Sequence, residues 1–182
     1  MTPPEPDEAL DRACAAMLAL AADRPWRHVT LRDIAARAGL LLGDLYRRVS
    51  SKSDLLAYLS ARHDAGALAT AETESEDVHD RLFDAVMARV EAMEPERAAL
   101  TAIAREIPAL TIVSHYPRTA RAVLEAAGVE ATPPRLLAMI AVWARVAQVW
   151  RDDEGALNRT MAEIDLRLKQ MRARLGRVGA GF

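Results

Sequence analysis

The tightest constraint on the fold of this chain is the punctuation of residues 30–56, TLRDIAARAGLLLGDLYRRVSSKSDLL. Thr30 stands where a helix N-cap is wanted, because its side-chain oxygen can accept from the N–H groups that open a helix. Gly39 stands where left-handed backbone ends one. A short helix is therefore expected over 31–38, packed through Ile34 and Ala35, with Arg32 and Arg37 turned outward. A second short helix is expected over 42–49. Ser50 or Ser51 caps a third, which runs to 69 with Asp54 in its first turn, near the positive end of the helix. Two short helices around a glycine turn form a helix-turn-helix, whose second helix enters the DNA major groove.

The rest of the sequence reads as helix as well. Apolar spacing and proline or glycine stops place helices at about 7–23, 77–93, 95–107, 117–127, 133–151 and 155–175. Residues 1–6 read as a disordered leader, and the acidic stretch 72–80 as a boundary. The expected fold is all-α, with about nine helices: a helix-turn-helix domain over 7–69 and a helical domain for ligand binding and dimerisation over 70–182. Two seams with heptad spacing stand out near the end. Leu136, Ile140, Trp143, Ala147 and Trp150 form one; Leu157, Met161, Ile164, Leu168, Met171 and Leu175 form the other. Two such helices make an antiparallel hairpin, and two copies can bury a leftover seam as a four-helix bundle. A homodimer through Trp143, Ala147, Trp150, Leu157, Met161, Ile164, Leu168 and Met171 is expected; burial of both seams inside one chain is the alternative.

Charge localises the partner. The whole chain carries a formal −2, which excludes a uniformly basic coat. Residues 24–52 carry six arginines and Lys52 against Asp33 and Asp44, a net +5. A basic block in an otherwise acidic chain is an electrostatic footprint for nucleic acid. Double-stranded DNA is the expected partner. Tyr46, Arg47 and Arg48 are placed near phosphates, with Thr30 and Lys52 as further phosphate donors and Gly43 allowing close backbone approach.

The matches Thr30, Asp33, Ile34, Ala35, Ala38, Gly39, Gly43, Leu45, Tyr46, Ser51, Lys52, Leu55 and Leu56 fall in register without a gap, and the stretch resembles the N-terminal domain of TetR-family transcriptional regulators. The resemblance implies the helix-turn-helix fold above, a helical part for ligand binding and dimerisation, and regulation through release of DNA. The departures lie on the groove-facing surface. Leu40-Leu41 replaces the family's Val-Ser, and Leu41 removes a helix cap and a phosphate donor. Leu42 brings an alkyl group to the base edges and can touch a thymine methyl. Asp44 can accept from cytosine N4 but repels phosphates. Arg48-Val49 replaces His-Phe.

Elsewhere the expectations are broader. Met87, Ile107, His115, Tyr116, Met139 and Trp143 suggest an apolar cavity with polar tips, suited to a small hydrophobic ligand. Trp150-Arg151-Asp152-Asp153, Thr160 and Ile164–Leu168 resemble the end of TetR-fold lipid-binding proteins of ubiquinone biosynthesis, which gives an alternative function without DNA binding. The four histidines lack metal-ligand spacing, so no catalytic residue, metal or cofactor is expected. No apolar run is long enough for a transmembrane helix, the acidic, proline-rich start is unlike a signal peptide, and the single Cys14 suits a reducing cytoplasm.

Overall fold

A computed structural model describes residues 7–72, 75–153 and 156–182, and of Leu110 the backbone alone. The leader read at residues 1–6 lies outside the described residues. Ten α-helices are present among the described residues: α1 Glu8–Asp23, α2 Leu31–Arg37, α3 Leu42–Tyr46, α4 Lys52–Ala69, α5 Val78–Met93, α6 Arg97–Glu106, α7 Ala109–Val113, α8 Tyr116–Ala126, α9 Pro133–Arg151 and α10 Asn158–Arg177. Short 3-10 turns occupy Trp26–His28, Thr70–Glu72 and Glu94–Glu96. The structure adds α7, which opens just after Pro108, and ends α3 at Tyr46 rather than at 49.

The contacts divide the chain differently from the expected halves. The first unit holds the described residues up to Ala61 together with Glu96–Ile112, and the second holds Arg62–Pro95 and Val113–Phe182. This corrects the expected boundary near 70, because α6 packs on α1 rather than on the helices that follow it in sequence. The first core gathers Met17, Trp26, Ile34, Leu45, Leu55, Leu59 and Ile103, all buried. Val49 is buried there too, where the family has a larger Phe. Ile107 packs against the same core. It therefore leaves the expected ligand pocket, whose other residues belong to the second unit.

In the second unit α9 packs against α8 and α10, and α5 against α8 and α10. Gly66 on α4 lets α5 come close: a Cβ there would stand 3.1 Å from the Ala88 carbonyl oxygen and 3.2 Å from the Ala92 Cβ. The two seams run inward. Trp143, Trp150, Ile164, Leu168, Met171 and Leu175 are all buried within one chain. Burying such side chains is worth roughly 1.5–3 kcal/mol each, which intrachain packing already captures. The expected dimer interface through Trp143, Trp150, Ile164, Leu168 and Met171 is thus corrected to an internal seam, while Ala147 and Met161 are half-buried. Leu157 leaves the seam altogether. It is the N-cap of α10, with left-handed backbone at φ +53°.

Asp153, part of the stretch that resembles the lipid-binding proteins, has a local structural role. Its Oδ2 accepts from the Thr160 backbone N–H at 2.8 Å and from the Thr160 hydroxyl at 2.7 Å, securing the first turn of α10. None of the helices among the described residues is long and apolar enough to cross a membrane.

Candidate nucleic-acid interface

Local sequence sets the entry to α2. Thr30 Oγ1 accepts from the Asp33 N–H at 3.1 Å, and Asp33 Oδ2 accepts from the Thr30 N–H at 2.9 Å. This reciprocal capping box satisfies two orphan donors and is worth about 1 kcal/mol. The Thr30 hydroxyl also donates to Asp33 Oδ2 at 2.7 Å. Its proton is therefore committed, and the phosphate-donor role expected of Thr30 competes with the cap. These hydrogen bonds from Thr30 lead the causes that hold the Asp33 carboxyl below its ordinary pKa.

Gly39 ends α2 at φ +66°, a left-handed conformation that costs a residue with a Cβ about 1–2 kcal/mol. The Leu40 N–H then bonds back to the Ala35 carbonyl at 2.9 Å, closing the turn. Beyond it α3 buries Leu45 and turns the other side outward. Leu41 is the N-cap and makes no side-chain hydrogen bond, as expected from the lost serine. Leu41 is 74% exposed, Leu42 42% and Tyr46 60%. Gly43 is exposed beside them. Leu42 and Tyr46, four residues apart, lie over one another on one helix face. The entry to α4 is closed by Asp54, whose Oδ2 accepts from the Ser50 N–H at 2.8 Å and the Ser51 N–H at 2.9 Å. The bond from the Ser50 N–H is the main reason its carboxyl titrates below the ordinary range.

The basic block is not a field of free cations. Arg24 pairs with Asp33 at 2.9 Å, Arg27 with Glu106 at 3.4 Å, Arg37 with Asp23 at 3.7 Å and Arg48 with Asp7 at 2.9 Å. Arg47 pairs with Asp44 on α3. Asp44 therefore faces a guanidinium of its own chain, which weakens the expected reading of a cytosine. Arg32 is exposed and, among the described residues, has no acidic partner.

Lys52 differs most from expectation. Its Nζ donates to the Trp26 carbonyl at 2.7 Å and lies 4.0 Å from the centroid of the Trp26 indole ring. Burial lowers the ammonium's pKa, while the Glu106 carboxylate works to raise it. A half-buried ammonium seated on a carbonyl and a ring is a brace for the turn before α2. The expected phosphate contact through Lys52 is corrected on that ground.

The other half of the brace escaped the sequence reading. Glu106, at the end of α6, accepts from the Trp26 and Arg27 backbone N–H groups at 3.1 Å each. The bond from Arg27 leads the causes that lower the Glu106 pKa. No local pattern links positions 80 apart, so nothing in the sequence pointed to it.

The expected ligand pocket also changes character. In the second unit Asp64 Oδ1 accepts from Arg89 Nε at 2.7 Å and from the Thr119 hydroxyl at 2.9 Å. The Arg89 guanidinium lies 4.1 Å from the centroid of the Trp143 ring. Met139 is buried, and Met87, His115 and Tyr116 are half-buried. Burial is the main cause that lowers the His115 pKa and raises that of Tyr116. The Asp64–Arg89 pair makes part of this region polar where an apolar cavity was expected. Among the described residues no three His, Cys, Asp or Glu side chains are placed to hold a metal.

A helix-turn-helix whose first helix is capped and whose second faces outward, completed by a distant helix and followed by a helical unit, defines the fold class: an all-α chain built on a helix-turn-helix. Residues 14–59 match the family model for bacterial regulatory proteins of the tetR family. Residues 14–59 are thereby similar to the N-terminal domain of that family, and the chain as a whole shares its fold with the following solved structures. A TetR transcriptional regulator from Nitrosomonas europaea ATCC 19718 superposes with a TM-score of 0.72 at 22% identity, over 91% of this chain and 98% of that one. A TetR transcriptional regulator from Rhodococcus sp. RHA1 gives 0.69 at 20% identity, over 92% and 97%. The dihydroxyacetone kinase operon activator DhaS gives 0.59 at 8% identity, over 93% and 97%. No curated protein sequence matches the chain.

Proposed function

We propose that this chain is a sequence-specific, DNA-binding transcriptional regulator that works as a homodimer in the cytoplasm and responds to a small ligand as a repressor. The observation that carries the reading is α3: a short helix set into a helix-turn-helix behind the capped α2, with Leu41, Leu42, Tyr46 and Arg47 exposed on a domain similar to the TetR type. Arg32, Arg47 and Arg48 then hold phosphates. The ion pairs of Arg47 and Arg48 are solvent-exposed, and such pairs are worth about 0–1 kcal/mol, so a phosphate can displace the carboxylates. The dimer places two α3 helices about 34 Å apart, or a multiple of it, on a near-palindromic site.

With the seams buried, the pairing face falls to the other side of the last two helices, where Leu137 on α9 and Leu166 on α10 are exposed. Ligand binding falls to the second unit, where His115 and Tyr116 feel the charge of Arg89. The lipid-binding alternative has no support among the matched structures.

The test is selection of bound fragments from the source genome, followed by titration of the selected duplex over a range of salt. Arg32→Ala should flatten the slope of log K against log salt by about one unit, and Lys52→Ala should leave it nearly unchanged. Absence of binding to any fragment at low ionic strength overturns the reading.

A further inference from the structure

At the start of α3 the exposed side chains are apolar, and the nearest carboxylate already has a partner. Asp44 is paired to Arg47. Position 41 carries a leucine with no polar atom, and position 42 another, 74% and 42% exposed. Thr30 spends its hydroxyl on Asp33, and Lys52 spends its ammonium on Trp26. Exposed leucines side by side beside a helix N-terminus cost solvation in the unbound protein and suit a partner that offers apolar groups at the same depth. In the major groove one base alone offers such a group: thymine, through its 5-methyl.

We propose that Leu41 and Leu42 are the specificity-determining residues of this protein, and that they read thymine by its methyl group. The claim rests on the DNA-binding function proposed above. The rim of the patch favours DNA over a protein partner. Arg32 has no acidic partner among the described residues, and Arg47 and Arg48 pair only at the surface, so cations flank the leucines where phosphates flank a groove. Tyr46, on the same face of α3 as Leu42, supplies an apolar ring with a polar tip suited to the groove wall. Asp44 pairs with Arg47, so the proposal assigns it no base.

The experiment uses the full chain and the duplex obtained by genomic selection. Each thymine of one half-site is replaced in turn by deoxyuridine, which deletes the methyl and leaves every hydrogen-bonding group in place. At one or two positions affinity should fall about fourfold, the factor expected for one apolar carbon taken out of water. In Leu41→Ser and Leu42→Ser the ratio of thymine to uracil affinity at those positions should move to one. Leu41→Ser also restores a helix cap, so that variant remains folded and the readout is preserved.

Equal binding of thymine and uracil duplexes at every position overturns the proposal and leaves the DNA-binding function standing. Failure to bind any fragment overturns the function itself. If the serine variants leave the ratio unchanged but alter self-association in sedimentation, the leucines face protein, and the proposal is likewise overturned.

Discussion

Asp44 with Arg47 on α3 and Asp64 with Arg89 in the second unit are the same chemical pair in opposite surroundings. On α3 the side chains are 39% and 73% exposed; in the second unit they are 3% and 4% exposed. Water screens the first pair, so it contributes about 0–1 kcal/mol and can exchange for a phosphate. The second pair has lost its water and is held by protein groups: the Thr119 hydroxyl on the carboxylate and the Trp143 ring under the guanidinium. One environment makes an ion pair a replaceable latch, and the other makes it part of the core.

The comparison breaks most visibly on removal of one partner. Asp64→Ala should cost about 3–5 kcal/mol in denaturant unfolding, because Arg89 is left charged and buried. Asp44→Ala should change stability by less than about 1 kcal/mol, yet raise affinity for any duplex by removing a charge that repels phosphates. Comparable losses of stability in both variants would show that burial does not separate the pairs.

Next in size is the seam. Leu168→Ala should cost about 2–5 kcal/mol, measured by the same unfolding, since the side chain is fully enclosed within one chain. Leu166→Asp, two residues earlier on the exposed face of α10, should leave the unfolding transition in place and shift sedimentation toward monomer. A smaller effect is expected at the cap: Thr30→Ala should cost about 1 kcal/mol.

The mildest probe is acid. Asp33, Asp54 and Glu106 in the first unit all titrate below their ordinary values, through the hydrogen bonds they accept. Their stabilisation is present above the unfolded-state pKa, about 4, and is lost as pH falls through the lower folded-state values. The fluorescence of Trp26, whose backbone N–H is bound to Glu106, should report that loss, and Glu106→Gln should diminish it.

What the sequence made legible was local. The Thr30 cap, the left-handed Gly39, the bare cap at Leu41 and most helix limits all depend on neighbours within about five positions. What it hid was long-range. The heptad seams announced two packed helices, but spacing alone does not say whether the facing helix belongs to the same chain. Lys52 read as a surface cation because the carbonyl and ring that seat it lie 26 positions away. The buried Arg89–Asp64 pair had no signal, since single charged residues on helices usually face water.

The grip of Glu106 on the turn before α2 has a consequence for synthesis. Helices α1 to α4 are synthesised before α6, and until then they lack the cover that Ile103 and Glu106 provide. The buried Trp26 stays partly unclothed until α6 has been translated. A fragment cut after residue 69 would expose that apolar side to aggregation, so the helix-turn-helix cannot be excised as the sequence order invites.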